Sequence, residues 1–326
     1  MMKNRTGIAV AGTILVDEIN HIIAYPESGE LVQIRKTEKS IGGCVPNVAV
    51  DLKKLCPSLE VTAIGRVGDD ENGTYATDAM ALPGVDVSRI VRQEGEKTSF
   101  TQVMSIIGGQ RTFFTYAGAS AQFGVDDVNV DDLAARILHL GYFLLLDKVD
   151  DGDGLAILQK AQQAGIKTSI DLVSENSDRY QLVLPCLPYV DYLIINEQEA
   201  EKLTNIPATN ENLGDIAAAL KAAGVREKVI IHKPDRAVCC SEQGITVVGS
   251  YCLPDGYIQG TTGAGDAFCA GALLGIYNGW NDREILEFSS AAAVAALGAA
   301  DATSGLRPVP EIRELCKGYS RMDTAL

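Results

Sequence analysis

The run Gly260-Thr261-Thr262-Gly263-Ala264-Gly265-Asp266-Ala267-Phe268 sets small residues directly ahead of a helical pattern. That pattern continues through Ala272, Leu273 and Ile276 and ends near Gly279. Glycines just before a helix free several N–H groups to point at one spot, and the helix dipole adds roughly half a positive charge there. Gly263, Ala264 and Gly265 are therefore candidate anion-hole residues, with Asp266 beside the anion in the first helical turn. An Asp at that position also balances the helix dipole, and small residues also permit close strand–helix packing. The combination of an anion hole and one base is what phosphoryl transfer to an alcohol needs, because the hydroxyl must lose its proton as the phosphoryl group arrives.

Two further segments carry polar groups at useful spacings. Ile41-Gly42-Gly43-Cys44-Val45-Pro46-Asn47 ends an extended run, and Pro46 suits the first turn of a following helix. The amides of Gly42 and Gly43 can approach a polyol closely, and the Asn47 amide both donates and accepts. An ordinary turn with Asn near a helix start explains the same residues equally well. Asp17 follows the first expected strand, at the end where α/β proteins bind ligands. In Asn196-Glu197-Gln198-Glu199, Asn196 is a natural N-cap and Glu199 completes a capping box. The same pair suits water-mediated Mg²⁺ binding, since Mg²⁺ takes few protein oxygens and keeps much of its hydration.

The elements that must position these groups alternate short β-rich runs with helical patterns, which predicts a parallel sheet with crossover helices. Strands are expected at Thr6–Gly12, Val61–Arg66, Tyr142–Leu146, Thr168–Leu172, Tyr192–Ile195 and Val229–His232. Helices are expected over Asp153–Ala164, with Asp153 as N-cap and Gly165 as terminator, and over Thr209–Ala223, ending at Gly224. Two stretches break the alternation. Ile19–Lys39 reads as extended chain turning at Glu27–Gly29, with Leu31, Gln33 and Arg35 alternating. Lys97–Tyr116 reads as a hairpin turning at Gly108–Gly109. These segments, 18–40 and 97–117, are too polar for a separate globule and predict a small β-sheet projecting from one domain spanning residues 1–326. A lid or a homodimer contact would each use such a sheet.

Composition narrows the classes. The 326 residues hold 28 Lys plus Arg against 43 Asp plus Glu, a formal charge of −15. The pI near 4.7 argues against nucleic acid and membrane surfaces as partners, because both recruit basic faces. No apolar run is long enough to span a bilayer. Lys3 and Arg5 precede an apolar stretch from Gly7 to Val16, but Asp17 and Glu18 stand where a signal cleavage site would need small residues. The eight cysteines form no CxxC pair, and with three histidines there is no zinc-ligand spacing, so a reducing cytoplasm is expected. Cys239–Cys240 is expected to place one side chain inward and one outward on a strand. No Gly-Lys dipeptide exists to build a Walker-type loop, and a dinucleotide-binding GxGxxG is not completed at 263–268.

With these residues in view, the chain resembles the ribokinase/PfkB carbohydrate kinase family. The resemblance rests on the glycine pair with Asn47, the Asn196-Glu-x-Glu199 segment and, above all, Thr261-Thr-Gly-Ala-Gly-Asp266. It implies a ribokinase-like three-layer α/β core, with a mainly parallel central sheet and a small β-sheet lid. It also implies ATP and Mg²⁺, and transfer of the γ-phosphoryl group to a hydroxymethyl group of a sugar or nucleoside. Carried onto this sequence, Asp266 is the base and Gly263, Ala264 and Gly265 the anion hole. Asp17, Gly42, Gly43 and Asn47 are sugar contacts. Asn196, Lys233, Thr262, Gly263 and Gly265 contact the nucleotide, and Glu199 acts on Mg²⁺ through water.

Three positions depart from the family pattern. Gly260 replaces an Asp associated with a monovalent-cation site, so dependence on such a cation is not implied. His232-Lys-Pro-Asp-Arg-Ala237 replaces a Thr-x-Gly-x-x-Gly nucleotide loop, leaving Lys233 as the available phosphate charge. Cys44 stands where ribokinases proper often have Lys. A nucleoside kinase, suggested by Phe113, Phe114 and Tyr116, and a catalytically silent sugar-binding regulator, suggested by the altered loop, are the alternatives to a sugar kinase.

Overall fold

The computed structural model describes residues 5–106, 110–175 and 177–324. Lys3 and the Gly108–Gly109 turn lie outside the described residues. The strands are β1 (Ile8–Gly12), β2 (Leu15–Ile22), β3 (Lys36–Gly42), β4 (Val61–Gly68), β5 (Asp86–Gln93), β6 (Ser99–Ile106), β7 (Arg111–Tyr116), β8 (Ile137–Phe143), β9 (Lys167–Leu172), β10 (Tyr192–Asn196), β11 (Lys228–His232), β12 (Arg236–Ser241) and β13 (Gly244–Gly249). The helices are α1 (Cys44–Leu55), α2 (Glu71–Ala81), α3 (Gly154–Gln163), α4 (Glu197–Thr204), α5 (Leu213–Ala222), α6 (Ala264–Tyr277), α7 (Asp282–Leu297) and α8 (Val309–Cys316).

Nine strands form one sheet in the order β13-β12-β11-β10-β9-β8-β1-β4-β5, parallel from β11 through β5 and closed by the antiparallel β12 and β13. Its central strands are apolar on both faces, as burial between two helical layers requires. On β1, Ile8 and Val10 join the core under α1, α6 and α7, whereas Ala9 and Ala11 join the core under α3, α4 and α5. On β10, Tyr192 and Ile194 divide from Leu193 and Ile195 in the same way. This is the expected three-layer α/β core.

The second sheet has four strands in the order β3-β2-β6-β7. It begins at Leu15, so Asp17 lies within β2 of this sheet, paired with Ser40 on β3 and Thr101 on β6. The small sheet thus carries an expected site residue that the sequence placed beyond the first strand of the core.

Several expected elements need correction. The strand expected at Tyr142–Leu146 is β8, ending at Phe143, because Tyr142 (φ 58°) and Leu144 (φ 75°) leave extended geometry. Carboxylates hold that bend: the Tyr142 amide donates to Asp171 Oδ1 at 2.6 Å and the Leu144 amide to Asp150 Oδ1 at 2.8 Å. Residues 31–35 alternate in sequence without forming a strand, and β3 starts at Lys36. The turn at Glu27–Gly29 is present, with the Glu30 amide donating to the Glu27 carbonyl. Asp153 does not cap α3; its carboxylate instead accepts from the Val125 amide at 3.0 Å. The helix expected from Thr209 begins at Leu213. Gly165 and Gly224 follow their helices at φ 74° and 134°, the left-handed region where glycine carries no Cβ penalty. Cys239 and Cys240 face opposite sides of β12, and both are buried.

Candidate active site

The carboxyl ends of the parallel strands define the site. β1 stands between β8 and β4, where the chain reverses its direction of travel across the sheet, and α/β proteins bind ligands at such a switch point. On the β8 side of that point, Tyr142 near the end of β8, Asp171 on β9, Asn196 on β10 and His232 on β11 line a cavity of about 200 Å³ together with Gly263, Gly265 and Asp266. Five separate chain segments thus converge on one opening.

Gly263 caps α6 at φ 79°, and a Cβ there would lie 2.5 Å from the Ala302 Cα, so the turn depends on glycine. Gly265 faces open space, with the His232 Cε1 nearest at 3.8 Å from a hypothetical Cβ. The first-turn amides of α6 have no carbonyl ahead of them in the helix, although the Ala264 amide donates to the Thr261 carbonyl at 3.4 Å. Asp266 is buried in the same turn. Its Oδ2 accepts from Asn47 Nδ2 at 2.9 Å, and the Tyr142 hydroxyl donates to both carboxylate oxygens at 3.1 Å. Burial, reinforced by the negative charge of Asp171 and opposed by those two donors, raises the Asp266 pKa from 3.8 to about 7. A base at that value suits proton abstraction near neutrality.

Asn47 is buried on α1, whose start is set by Gly43 at φ 88°. A Cβ on Gly43 would meet the Thr13 carbonyl at 2.6 Å, and one on Gly42 would meet Asp17 Oδ2 at 2.5 Å. Gly42 therefore lets the chain pass closely by Asp17, and Gly43 lets it pass closely by Thr13. Burial raises the Asp17 pKa to about 6, against the pull of the Arg111 guanidinium and a Thr101 hydrogen bond.

The expected capping box is present. Asn196 Oδ1 accepts from the Glu199 amide at 2.9 Å, and Glu199 Oε2 accepts from the Asn196 amide at 3.0 Å. The Ser174 hydroxyl donates to Glu199 Oε1 at 2.9 Å and accepts from Asn196 Nδ2 at 2.9 Å. Burial lifts the Glu199 pKa to about 8, with the Asp171 charge adding to it.

Lys233 does not reach the cavity lining. Its ammonium donates to Asn210 Oδ1 at 2.6 Å and lies 3.4 Å from Asp235, in the tight turn between β11 and β12. Thr262 accepts from Arg111 on β7 at 2.8 Å, a link between the small sheet and the α6 turn that the sequence did not disclose. Tyr142, Asp171, His232 and Arg111 are the site residues that sequence reasoning missed. Asp171 ends a predicted strand, a signal that was available; Tyr142 was hidden by the misplaced strand. His232 stacks against Phe268 at 4.6 Å between ring centres, and burial lowers its pKa to about 4, keeping it neutral.

Two lining residues, Asp171 and Cys269, converge with buried His139 from separate elements. His139 Nε2 lies 3.4 Å from Asp171 Oδ2 and 3.7 Å from the Cys269 sulfur. Burial pushes the Cys269 thiol well above its ordinary pKa, so it remains a thiol. Asp171 is thus held at Oδ2 by His139 and at Oδ1 by the Tyr142 amide.

A glycine-opened helix start, a buried carboxylate in its first turn and a polar strand-end cavity are the parts that phosphoryl transfer to an alcohol would use. The chain belongs to the pfkB family of carbohydrate kinases, whose model matches residues 8–308. It is 28% identical to a ribokinase of Schizosaccharomyces pombe over 313 residues, covering 93% of this chain and 96% of that one. It is 24% identical to a 5-dehydro-2-deoxygluconokinase of Clostridium perfringens over 328 residues, covering 97% and 94%. The structure of an Arabidopsis thaliana ribokinase complexed with ribose and ATP superimposes with a TM-score of 0.81 at 22% identity, covering 96% of this chain and 99% of that one. That likeness makes the fold ribokinase-like. Among the described residues, no helix is long and apolar enough to cross a membrane.

Proposed function

We propose that this chain transfers the γ-phosphoryl group of ATP to a hydroxymethyl group of a sugar, with Asp266 as the base. The observation that carries this reading is the placement of Asp266: buried, in the first turn of α6, held by Asn47 and Tyr142, with its pKa near 7. Asp266 accepts the hydroxyl proton as the oxygen attacks, and the amides of Gly263, Ala264 and Gly265 hold the charge that spreads over the migrating phosphoryl group. Asp17 accepts from sugar hydroxyls, beside the Gly42 and Gly43 backbone and the Asn47 amide. Asn196 and Thr262 face the nucleotide phosphates, and Lys233, next to the lining residue His232, would have to leave Asn210 and Asp235 to bring its charge to them. Curated relatives act on ribose and on 5-dehydro-2-deoxygluconate by name, so the family alone does not select the acceptor.

The donor set fits hydrated Mg²⁺. Asp171, Glu199 and Asp266 face one cavity whose lining offers no cation except the neutral His232. Both Glu199 oxygens already accept hydrogen bonds, which leaves lone pairs for metal-bound water rather than for the ion itself. Bound there, Mg²⁺ would supply charge neutralisation of the nucleotide phosphates.

The small sheet acts as a lid. The Arg111–Thr262 contact joins it to the phosphate turn, so closure excludes water that would otherwise hydrolyse ATP. Phe113, Phe114 and Tyr116 on β7 are exposed, which suits either a nucleobase or a second copy of the chain in a homodimer. Eight free cysteines fit work in a reducing cytoplasm.

The test is ADP release and product mass with ATP and Mg²⁺ across pentoses, hexoses, sugar acids and nucleosides. Phosphorylation of a sugar hydroxymethyl group supports the reading, and turnover confined to nucleosides replaces it with the nucleoside kinase. Binding without turnover for every acceptor would contradict it in favour of a silent regulator. Solution mass decides the dimer.

A further inference from the structure

The helix α1 buries an acid that the proposed reaction does not use. Asp51 is 0% exposed, and neither of its carboxylate oxygens has a hydrogen-bond partner. One helical turn earlier, Asn47 Oδ1 is also buried and without a partner, although the same amide's nitrogen is committed to Asp266. Residues four apart on a helix are surface neighbours, and each side chain leans toward the helix N-terminus, so Asp51 covers the turn that bears Asn47. Two acceptor groups one helical turn apart in a dry interior cannot satisfy one another, and burying both unpaired is costly. A proton resolves the conflict.

We infer that Asp51 is a positioning residue for the base: it is held as the neutral acid, and its O–H donates to Asn47 Oδ1. That bond leaves the Asn47 amide only one orientation, with Nδ2 toward Asp266. The order of groups is then Asp51 O–H to Asn47 Oδ1, and Asn47 Nδ2–H to Asp266 Oδ2. The neutral state agrees with the surroundings. Burial, then the negative charge of Asp266 from α6, raise the Asp51 pKa well above 3.8; Asp301 from the loop after α7 adds to this, and Lys54 from the same helix opposes it. The remaining Asp51 oxygen is a neutral carbonyl, far cheaper to bury than a charge. This inference rests on Asp266 as the base for its kinetic consequence, but not for its structural one.

The experiment compares wild type with D51N, D51A, N47A and the double variant N47A/D51A in the full chain, reading thermal stability from pH 5 to 8. An Asn at position 51 keeps an N–H donor but cannot ionise. The raised Asp51 pKa means that the stability it lends is full below 3.8 and declines as pH rises. D51N should therefore match wild type at pH 5 and gain on it toward pH 8. D51A should fall by about 2–6 °C at pH 5 and by less toward pH 8, since it too cannot ionise, while staying below D51N at every pH; in the N47A background that fall should shrink. Loss in D51N equal to that in D51A, or a wild-type melting temperature that depends on added K⁺ or Na⁺, would overturn the inference in favour of an ionised Asp51 holding a cation against Asn47.

With an acceptor in hand, kcat/KM against pH gives a second readout. In D51A the released Asn47 amide can turn its oxygen to Asp266, so the acid limb should move upward in pH, whereas D51N should keep the wild-type limb. An unmoved limb in D51A contradicts the positioning role. If no acceptor turns over at all, the kinase reading fails, while the melting series still decides the Asp51–Asn47 bond.

Discussion

The Asn47 side-chain nitrogen donates to Asp266 Oδ2 at 2.9 Å across 219 residues of chain, locking the start of α1 to the start of α6. Each helix is opened by a left-handed glycine, Gly43 at φ 88° and Gly263 at φ 79°. On the proposed reading, the two turns bring a backbone-rich acceptor face and a backbone-rich phosphate face together at one carboxylate. Donation from Asn47 and Tyr142 favours the charged carboxylate, and burial opposes it; the balance near 7 leaves Asp266 partly ionised near neutrality and able to take a proton, as the proposed base requires.

That balance sets a pH dependence. A carboxyl with its pKa raised to about 7 is mostly protonated, and so unable to act as base, below that value. With Asp17 raised to about 6, kcat/KM should climb through a limb spanning roughly pH 6 to 7. Initial rates at subsaturating sugar from pH 5 to 8.5 measure it. A flat profile down to pH 5 would mean that the titrating base is elsewhere.

The two glycines of the phosphate turn should respond differently to one methyl group. Gly263→Ala forces left-handed backbone, at about 1–2 kcal/mol, and also drives Cβ to 2.5 Å from Ala302 Cα, so its melting temperature should drop. Gly265→Ala meets nothing closer than 3.8 Å, so the fold should hold while the KM for ATP rises about tenfold, because the methyl enters the phosphate space. Equal ATP affinity in Gly265→Ala and wild type would remove the phosphate from that turn.

Much of this was legible beforehand, for a physical reason. Local signals carry local structure: Gly-rich turns before helices, the Asn196–Glu199 capping box and doubly apolar strands all appear where their chemistry put them. Asp266 was readable because base and anion hole share one helical turn. Tyr142 was not, since its left-handed φ of 58° is imposed by Asp171, a residue 29 positions away, against the extended preference of its own segment. The Arg111–Thr262 bond and the Asp51–Asn47 apposition depend on tertiary packing, and the His139–Asp171–Cys269 cluster has no spacing signature because each member comes from a different element. Lys233 shows the reverse case: its charge is plain in the sequence, and only the fold reveals that Asn210 and Asp235 hold it.

Arg111 offers a test of lid closure. Its guanidinium bonds Thr262 and attracts Asp17, so it stands between the proposed phosphate turn and the proposed acceptor pocket. Arg111→Ala should lower kcat/KM about tenfold and raise ATP hydrolysis in the absence of sugar, with Lys restoring only part because it lacks the planar fork. Unchanged coupling of ATP use to product would leave Arg111 a surface contact alone.

The site should also cost stability. Because the folded pKa of Asp266 exceeds its ordinary value, the stability this carboxyl lends is full below about 3.8 and is lost as pH rises to about 7. Asp266→Asn, which removes the buried charge, should therefore gain on wild type across that window, by an amount on the order of a few kcal/mol at pH 8. Melting curves at pH 5 and pH 8 check this; a variant that loses ground as pH rises would contradict the raised pKa.

The most direct test of Asp266 as the base is turnover by the Asp266→Ala and Asp266→Asn variants under saturating ATP, Mg²⁺ and the best acceptor, with sugar affinity measured separately. Both should remain folded, bind sugar within a few-fold of wild type and lose about 10²–10⁴ in kcat, roughly 3–5 kcal/mol of transition-state stabilisation. Retention of wild-type kcat by either variant would show that another group takes the proton, and the assignment would fall.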